Sequence, residues 1–291
     1  MARKKLLAYR NFSGVGDWII TMTVLKMVNR QYPDIDIYLN MLAKNNFAPE
    51  NYSIPLPDLV FEIIEKFDVD IKEKLNHTFP RDIEDQYDYC TGHMGYKRDG
   101  TNFIEGMVKQ FNLNTGLELI YEEDVFATYQ GEGIGYDNTL EDLRPYVLIQ
   151  ACSKMKKKEK YGKDYGFNNM CHIADTLSFY MNVVQIGKRT DYMIPYVDKF
   201  LGVDLDVLHR LMVNSTAFIG MDGGLGVYAS HHNVRQYIIY EESRRFSWTA
   251  FPNRTQINGQ QMEAGDVADF IVNNLRINNE TAVWQNACTV S

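Results

Sequence analysis

Lys5-Leu6-Leu7-Ala8-Tyr9 runs into Asn11-Phe12-Ser13-Gly14-Val15-Gly16-Asp17, and that turn runs into Trp18 to Arg30, where Ile19, Ile20, Met22, Val24, Leu25 and Val28 recur. The first piece reads as a short apolar strand and the second as a polar, glycine-bearing turn. The third has apolar residues over most of its circumference, which makes a largely buried helix, closed by Pro33. Ile35 to Leu39 then alternates as a second strand. A strand, a turn, a helix and a strand in this order form the unit from which parallel sheets are built.

Outward from this unit the pattern fades and then returns. Between about Asn45 and Asp137 only Leu59 to Phe67 and Phe103 to Phe111 are clearly amphipathic. A new α/β series starts near Arg144-Pro145 with the apolar strand Tyr146 to Ile149. It continues with a helix at Asn168 to Tyr180, a strand at Asn182 to Ile186 and a helix at Asp204 to Asn214. The strand Ala217 to Gly220, a glycine turn, a short helix to His231 and the strand Tyr237 to Tyr240 follow, and Gly265 to Leu275 is a last amphipathic helix. Strands alternating with helices at this spacing predict a second doubly wound sheet. With 291 residues in all, the chain is expected to hold two α/β, Rossmann-like doubly wound domains facing a cleft, at 1–140 and 141–265, with a C-terminal helix and tail at 266–291.

Composition excludes several classes. No run of about 18 apolar residues occurs, and Met1-Ala2-Arg3-Lys4-Lys5 leads into only a short apolar stretch, so neither a transmembrane segment nor a secretory signal is expected. The cysteines, Cys90, Cys152, Cys171 and Cys288, are scattered without metal-binding spacing and read as reduced thiols of a cytoplasmic protein. His172 and His209 fall within helical patterns, and His231 and His232 are adjacent, so no histidine site and no metal site is expected. A formal net charge of −8 repels polyanions and disfavours nucleic acid as a partner, although Lys154 to Lys163 is locally basic.

Ligands of open parallel sheets bind beyond the carboxyl ends of strands, so the loops after strands are where function is sought. Ser13, Gly14 and Gly16 can present backbone amides to an anion at a helix start. Asp17 beside them reads from spacing alone first as a helix-capping or first-turn acid, with a general base as the other reading. Directly after the strand Tyr146 to Ile149 come Ser153 and a run of lysines suited to a diphosphate. Met221-Asp222-Gly223-Gly224-Leu225-Gly226 combines an acidic strand end with glycines that permit close backbone approach, and its plain reading is a turn capped by Asp222.

Ser13 to Thr23, Gln31-Tyr32-Pro33, Gln185-Ile186-Gly187, Asp204-Leu205 and Ala217 to Leu225, in that order, resemble the heptosyltransferases of glycosyltransferase family 9. Those enzymes have the two-lobed GT-B fold and act in lipopolysaccharide core assembly. The resemblance covers about 220 residues and implies an inverting transferase that moves a sugar from a nucleotide-diphosphate sugar to a hydroxyl of a glycan or lipopolysaccharide-type acceptor. It implies an acceptor-side first lobe and a nucleotide-sugar-binding second lobe, with no metal or other cofactor. It assigns Asp17 as catalytic base, and Ser153 with one of Lys157, Lys158 or Lys160 as contacts to the donor phosphates. Asp191 would meet the ribose, Val203 would lie near the base, and Asp222, Gly223 and Gly224 would hold the donor sugar. Val227 stands where the family usually has a histidine, which leaves the identity of the donor open. Two other readings remain: transfer to hydroxylated bases of DNA, supported by the lysine run alone, and a non-catalytic nucleotide- or glycan-binding module.

Overall fold

A computed structural model of the chain describes residues 3–9, 14–41, 58–76, 80–93, 102–131, 144–151, 165–240 and 253–275. They fall into two compact units, 3–131 and 144–275. The first is built on four parallel strands, β1 (Lys4–Tyr9), β2 (Ile35–Asn40), β3 (Glu73–Leu75) and β4 (Tyr89–His93), in the order β3-β2-β1-β4. The chain thus enters at β1, moves outward through β2 and β3, and crosses back to β4 on the other side. Leu6, Leu7 and Ala8 are fully buried, as expected of a parallel strand covered on both faces.

Helix α1 (Val15–Gln31) follows β1 and is buried from Trp18 to Leu25 without interruption. Its polar residues are spent on fixing the chain around it: Thr23 Oγ1 accepts the Ala127 N–H at 3.1 Å, and Lys26 pairs with Asp68 and donates to the Phe126 carbonyl. Helix α2 (Asp58–Lys66) and a 3₁₀ turn (Pro80–Gln86) lie between the strands. Helix α3 (Phe103–Thr115) starts where Asn102 accepts the Glu105 N–H at 3.0 Å and stops at Gly116, whose φ of 72° most side chains would resist.

The second unit holds β5 (Tyr146–Gln150), α4 (Phe167–Ser178), β6 (Asn182–Gly187), β7 (Asp198–Leu201), α5 (Leu205–Val213), β8 (Ala217–Met221), α6 (Gly224–His231), β9 (Gln236–Tyr240) and β10 (Arg254–Asn258). A last helix, α7, spans 264–275. All six strands are parallel in the order β10-β9-β8-β5-β6-β7. Starting centrally, moving one way and returning to build the other half is the complete doubly wound arrangement, and it places the reversal between β5 and β8. One core lies on the face formed by Val147, Ile149, Ile219, Tyr237 and Ile239 with Ile173, Leu177, Val267 and Ile271 from α4 and α7. The α/β fold class read from the sequence is thereby observed in both units.

Four strands escaped the sequence pattern, β3, β4, β7 and β10, and each lies at the end of its sheet among the described strands. Two of the histidines pack against each other. His209 on α5 and His232 just past α6 do come together, with ring centroids 4.7 Å apart, and Tyr228 packs on His232 at 4.5 Å. His209 Nδ1 lies 2.9 Å from the Tyr228 hydroxyl. Adjacency of His231 and His232 argued that they face apart, which holds. It said nothing of a partner from another helix. The cluster joins α5 to the C-terminal half of α6, away from the glycine turn.

Candidate functional site

In the second unit β6 and β8 both pair with β5, so the turns that follow them emerge at one edge of the sheet on either side of it. Beyond β8, Gly223 precedes α6 in an extended conformation and accepts the Val227 N–H at 3.1 Å. Glycine in that place has no side chain to cap the helix, whose first amides face the turn. The cap position thus falls on Gly223, one residue past Asp222. Asp222 Oδ1 lies 3.4 Å from Arg254 Nη1, and the Arg254 side chain is fully buried.

Arg254 opens β10, two strands away, and runs beneath α6. A Cβ on Gly226 would stand 3.3 Å from Arg254 Nη2, so a glycine there leaves the guanidinium its passage. Polar contacts accompany the guanidinium: Ser230 Oγ donates to the Gly226 carbonyl at 3.0 Å, and past the helix Asn253 Nδ2 donates to the Val234 carbonyl at 2.8 Å. Buried His231 is 2.9 Å through Nδ1 from the Val227 carbonyl, and burial, with the Arg254 charge adding to it, lowers its pKa to about 4. A neutral ring beside a buried cation avoids a second charge in the same layer.

Beyond β6 the chain forms a tight, glycine-dependent turn. Gly187 has φ 153°, and a Cβ on it would collide with the Asp191 carboxylate. Asp191 is only 2% exposed. Its Oδ2 accepts the Lys188 N–H at 2.9 Å, whereas its Oδ1 is buried without a hydrogen-bond partner. An unsatisfied carboxylate oxygen inside a fold is costly, and its placement at the end of the second strand of a doubly wound sheet is where a ribose hydroxyl is commonly held. Gln185 stitches the following segment to β6 by donating to the Tyr192 carbonyl and accepting the Ile194 N–H, each at 2.7 Å. Gly202 N–H reaches the Gly187 carbonyl at 2.8 Å, which sets Val203 beside the same turn.

In the first unit Gly14 precedes α1 and Asp17 lies in its first turn. The Asp17 carboxylate folds back into the space that a Cβ on residue 14 would occupy, so a side chain there would push the carboxylate aside. Gly16 lies inside the first turn of the same helix. Elsewhere in this unit an open depression of about 540 Å³ is lined by Tyr9, Arg81, Glu84, Cys90, Gly92, Gln110 and Asn114. Its polar groups are turned on one another: Tyr9 Oη donates to Glu84 at 2.6 Å and Gln110 donates to Asn114 at 2.7 Å. Burial pushes the Cys90 thiol up to about 11, so it is no nucleophile at neutral pH.

Asp191 with Val203, and Asp222 with Gly223 and Gly224, are thus placed along one edge of the second sheet. Gly14, Gly16 and Asp17 stand together at the start of α1. Ser13, Ser153, Lys157, Lys158 and Lys160 lie outside the described residues. Arg254 was not anticipated, because nothing in Arg-Thr-Gln-Ile-Asn marks a strand or a site. Among the described residues no group of three or more His, Cys, Asp or Glu is arranged to hold a metal ion, and no helix is long and apolar enough to cross a membrane.

No family model and no curated protein matches the chain by sequence. Solved structures do match it over nearly its whole length. Escherichia coli ADP-heptose lipopolysaccharide heptosyltransferase II superposes with a TM-score of 0.64 at 13% identity, covering 95% of this chain and 99% of that one. The chain has the GT-B fold. A family 9 glycosyl transferase from Veillonella parvula gives a TM-score of 0.63 at 11% identity over 94% of this chain and 98% of its own. The E. coli heptosyltransferase WaaC, solved with ADP, gives 0.56 at 11% identity over 94% and 98%. Both GT-B units of this chain are therefore covered, each with its own parallel sheet.

Proposed function

We propose that the protein is an inverting glycosyltransferase that moves a sugar from a nucleotide-diphosphate sugar to a hydroxyl of a glycan or lipopolysaccharide-type acceptor. The observation that carries this reading is the pair of turns flanking β5. One ends in a buried acid with an unpartnered oxygen, the other in an acid and two glycines at a helix start. The full-length likeness to nucleotide-sugar transferases supports it.

In this reading Asp191 Oδ1 takes a ribose hydroxyl and Val203 lies against the base. Ser153 and one of Lys157, Lys158 or Lys160 take the diphosphate, whose charge grows as it leaves. Asp222, Gly223 and Gly224 take the donor sugar. Asp17 removes the proton of the acceptor hydroxyl as its oxygen bonds to the anomeric carbon. The bond from that carbon to the diphosphate breaks on the opposite face, which inverts the centre and releases the nucleoside diphosphate. Ser13, Gly14 and Gly16 orient the acceptor or an anionic group on it. The reaction so written uses no resident metal or other cofactor.

Thermal melting of the full chain with ADP, GDP, UDP and CDP, and with their sugars, tests the donor half of the proposal. A ligand at a hundred times its Kd stabilises the native state by about 2.7 kcal/mol. For units of this size that is a rise of roughly 5 °C or more. One base is expected to produce it; no rise with any of the four contradicts the reading.

A further inference from the structure

We propose that Arg254 is a positioning residue whose buried charge neutralises Asp222 and so allows the turn at the start of α6 to accept an anionic donor. The inference rests on the nucleotide-sugar reading and adds to it a residue that the motifs do not contain.

The problem it solves is electrostatic. Asp222 ends β8 at the edge where the reaction places a diphosphate sugar, and a carboxylate there repels the diphosphate that the helix amides attract. Arg254 is fully buried, 3.4 Å from Asp222 Oδ1, so the pair is shielded from the screening that weakens surface ion pairs. Burial disfavours the guanidinium charge, and the Asp222 carboxylate opposes that effect. His231 in the same layer is neutral at pH 7, and Gly226 leaves room for the guanidinium. Among the described residues, Arg254 is coupled in this layer to Asp222 and to His231. With the pair intact, the turn presents α6 amides without a net negative charge.

A role in packing alone would weaken every ligand of the unit equally, whereas charge balance acts on the phosphates. The readout is the ratio of nucleoside diphosphate affinity to nucleoside affinity, measured by calorimetry on the full chain for ADP, GDP, UDP and CDP, each against its own nucleoside. In Arg254→Met the ratio is expected to fall by roughly 30-fold, in line with uncovering a buried charge. Arg254→Lys keeps the sign of the charge and should retain most of the ratio. Asp222→Asn, which removes the carboxylate's negative charge and keeps the Arg254 cation, should raise it, and the double variant D222N/R254M should return it to within about threefold of wild type.

If Arg254→Met does not fold, the comparison of Asp222→Asn with the double variant decides. A higher ratio in the single variant supports the proposal, and equal ratios overturn it. Equal loss of nucleoside and diphosphate binding in Arg254→Met also overturns it. A wild-type protein that binds none of the four diphosphates refutes the nucleotide-sugar reading itself, an outcome distinct from either.

Discussion

Replacing Asp17 with alanine is expected to lower kcat for sugar transfer by about 10²- to 10⁴-fold and to leave nucleoside diphosphate affinity within about twofold of wild type. The fold should survive the change. Helix α1 is anchored by a run of buried residues from Trp18 onward, so loss of one first-turn acid removes at most about 1 kcal/mol of dipole and capping interaction. The competing account, in which Asp17 only caps α1, is a real one because its carboxylate folds back toward Gly14. Asp17→Asn separates the two. An asparagine can accept the same amide hydrogen bonds and preserves a cap, but it cannot remove a proton from an alcohol. Turnover assayed with the donor found by melting should be as low in Asp17→Asn as in the alanine variant. Near-normal turnover in the asparagine variant would assign Asp17 to the helix alone.

The second large effect concerns Asp191. Because its Oδ1 is buried and unpartnered, the wild-type protein should favour a ribonucleoside diphosphate over the 2′-deoxy form by roughly 10- to 100-fold, the worth of a hydrogen bond to a charged group. In Asp191→Ala that preference should fall to about 1, chiefly through weaker binding of the ribo form. The substitution also removes the acceptor of the Lys188 N–H, so a general loosening of the turn is the alternative. Loosening weakens both forms by the same factor and leaves the preference intact. Titration of both diphosphates into both proteins therefore distinguishes a ribose contact from a brace.

The parts of the fold that sequence reasoning found and missed have a physical division. Strands β1, β5, β8 and β9 are apolar on both faces because helices cover both sides, and such runs are plain to read. The four unrecognised strands lie at the ends of the sheets, where burial is partial and the pattern weakens: β7 reads Asp-Lys-Phe-Leu with no buried residue, and β10 buries only Ile257. Missing β10 also meant missing Arg254, since its importance comes from a crossing beneath α6 that no local pattern encodes. The glycine turns were legible for the opposite reason. Gly187 is required by its positive φ, and the space beside both Gly14 and Gly187 is taken by carboxylates only a few residues away, so motif and geometry sit in the same short stretch.

Hydrogen exchange of the full chain, with and without the nucleoside diphosphate that raises its melting point most, tests the central claim most directly. The account predicts that slowed exchange in the second unit concentrates in 187–203 and 221–227, the turns on either side of β5, while amides of α3 exchange unchanged. Protection confined to the first unit, or absent from both turns while the ligand is bound, would contradict it.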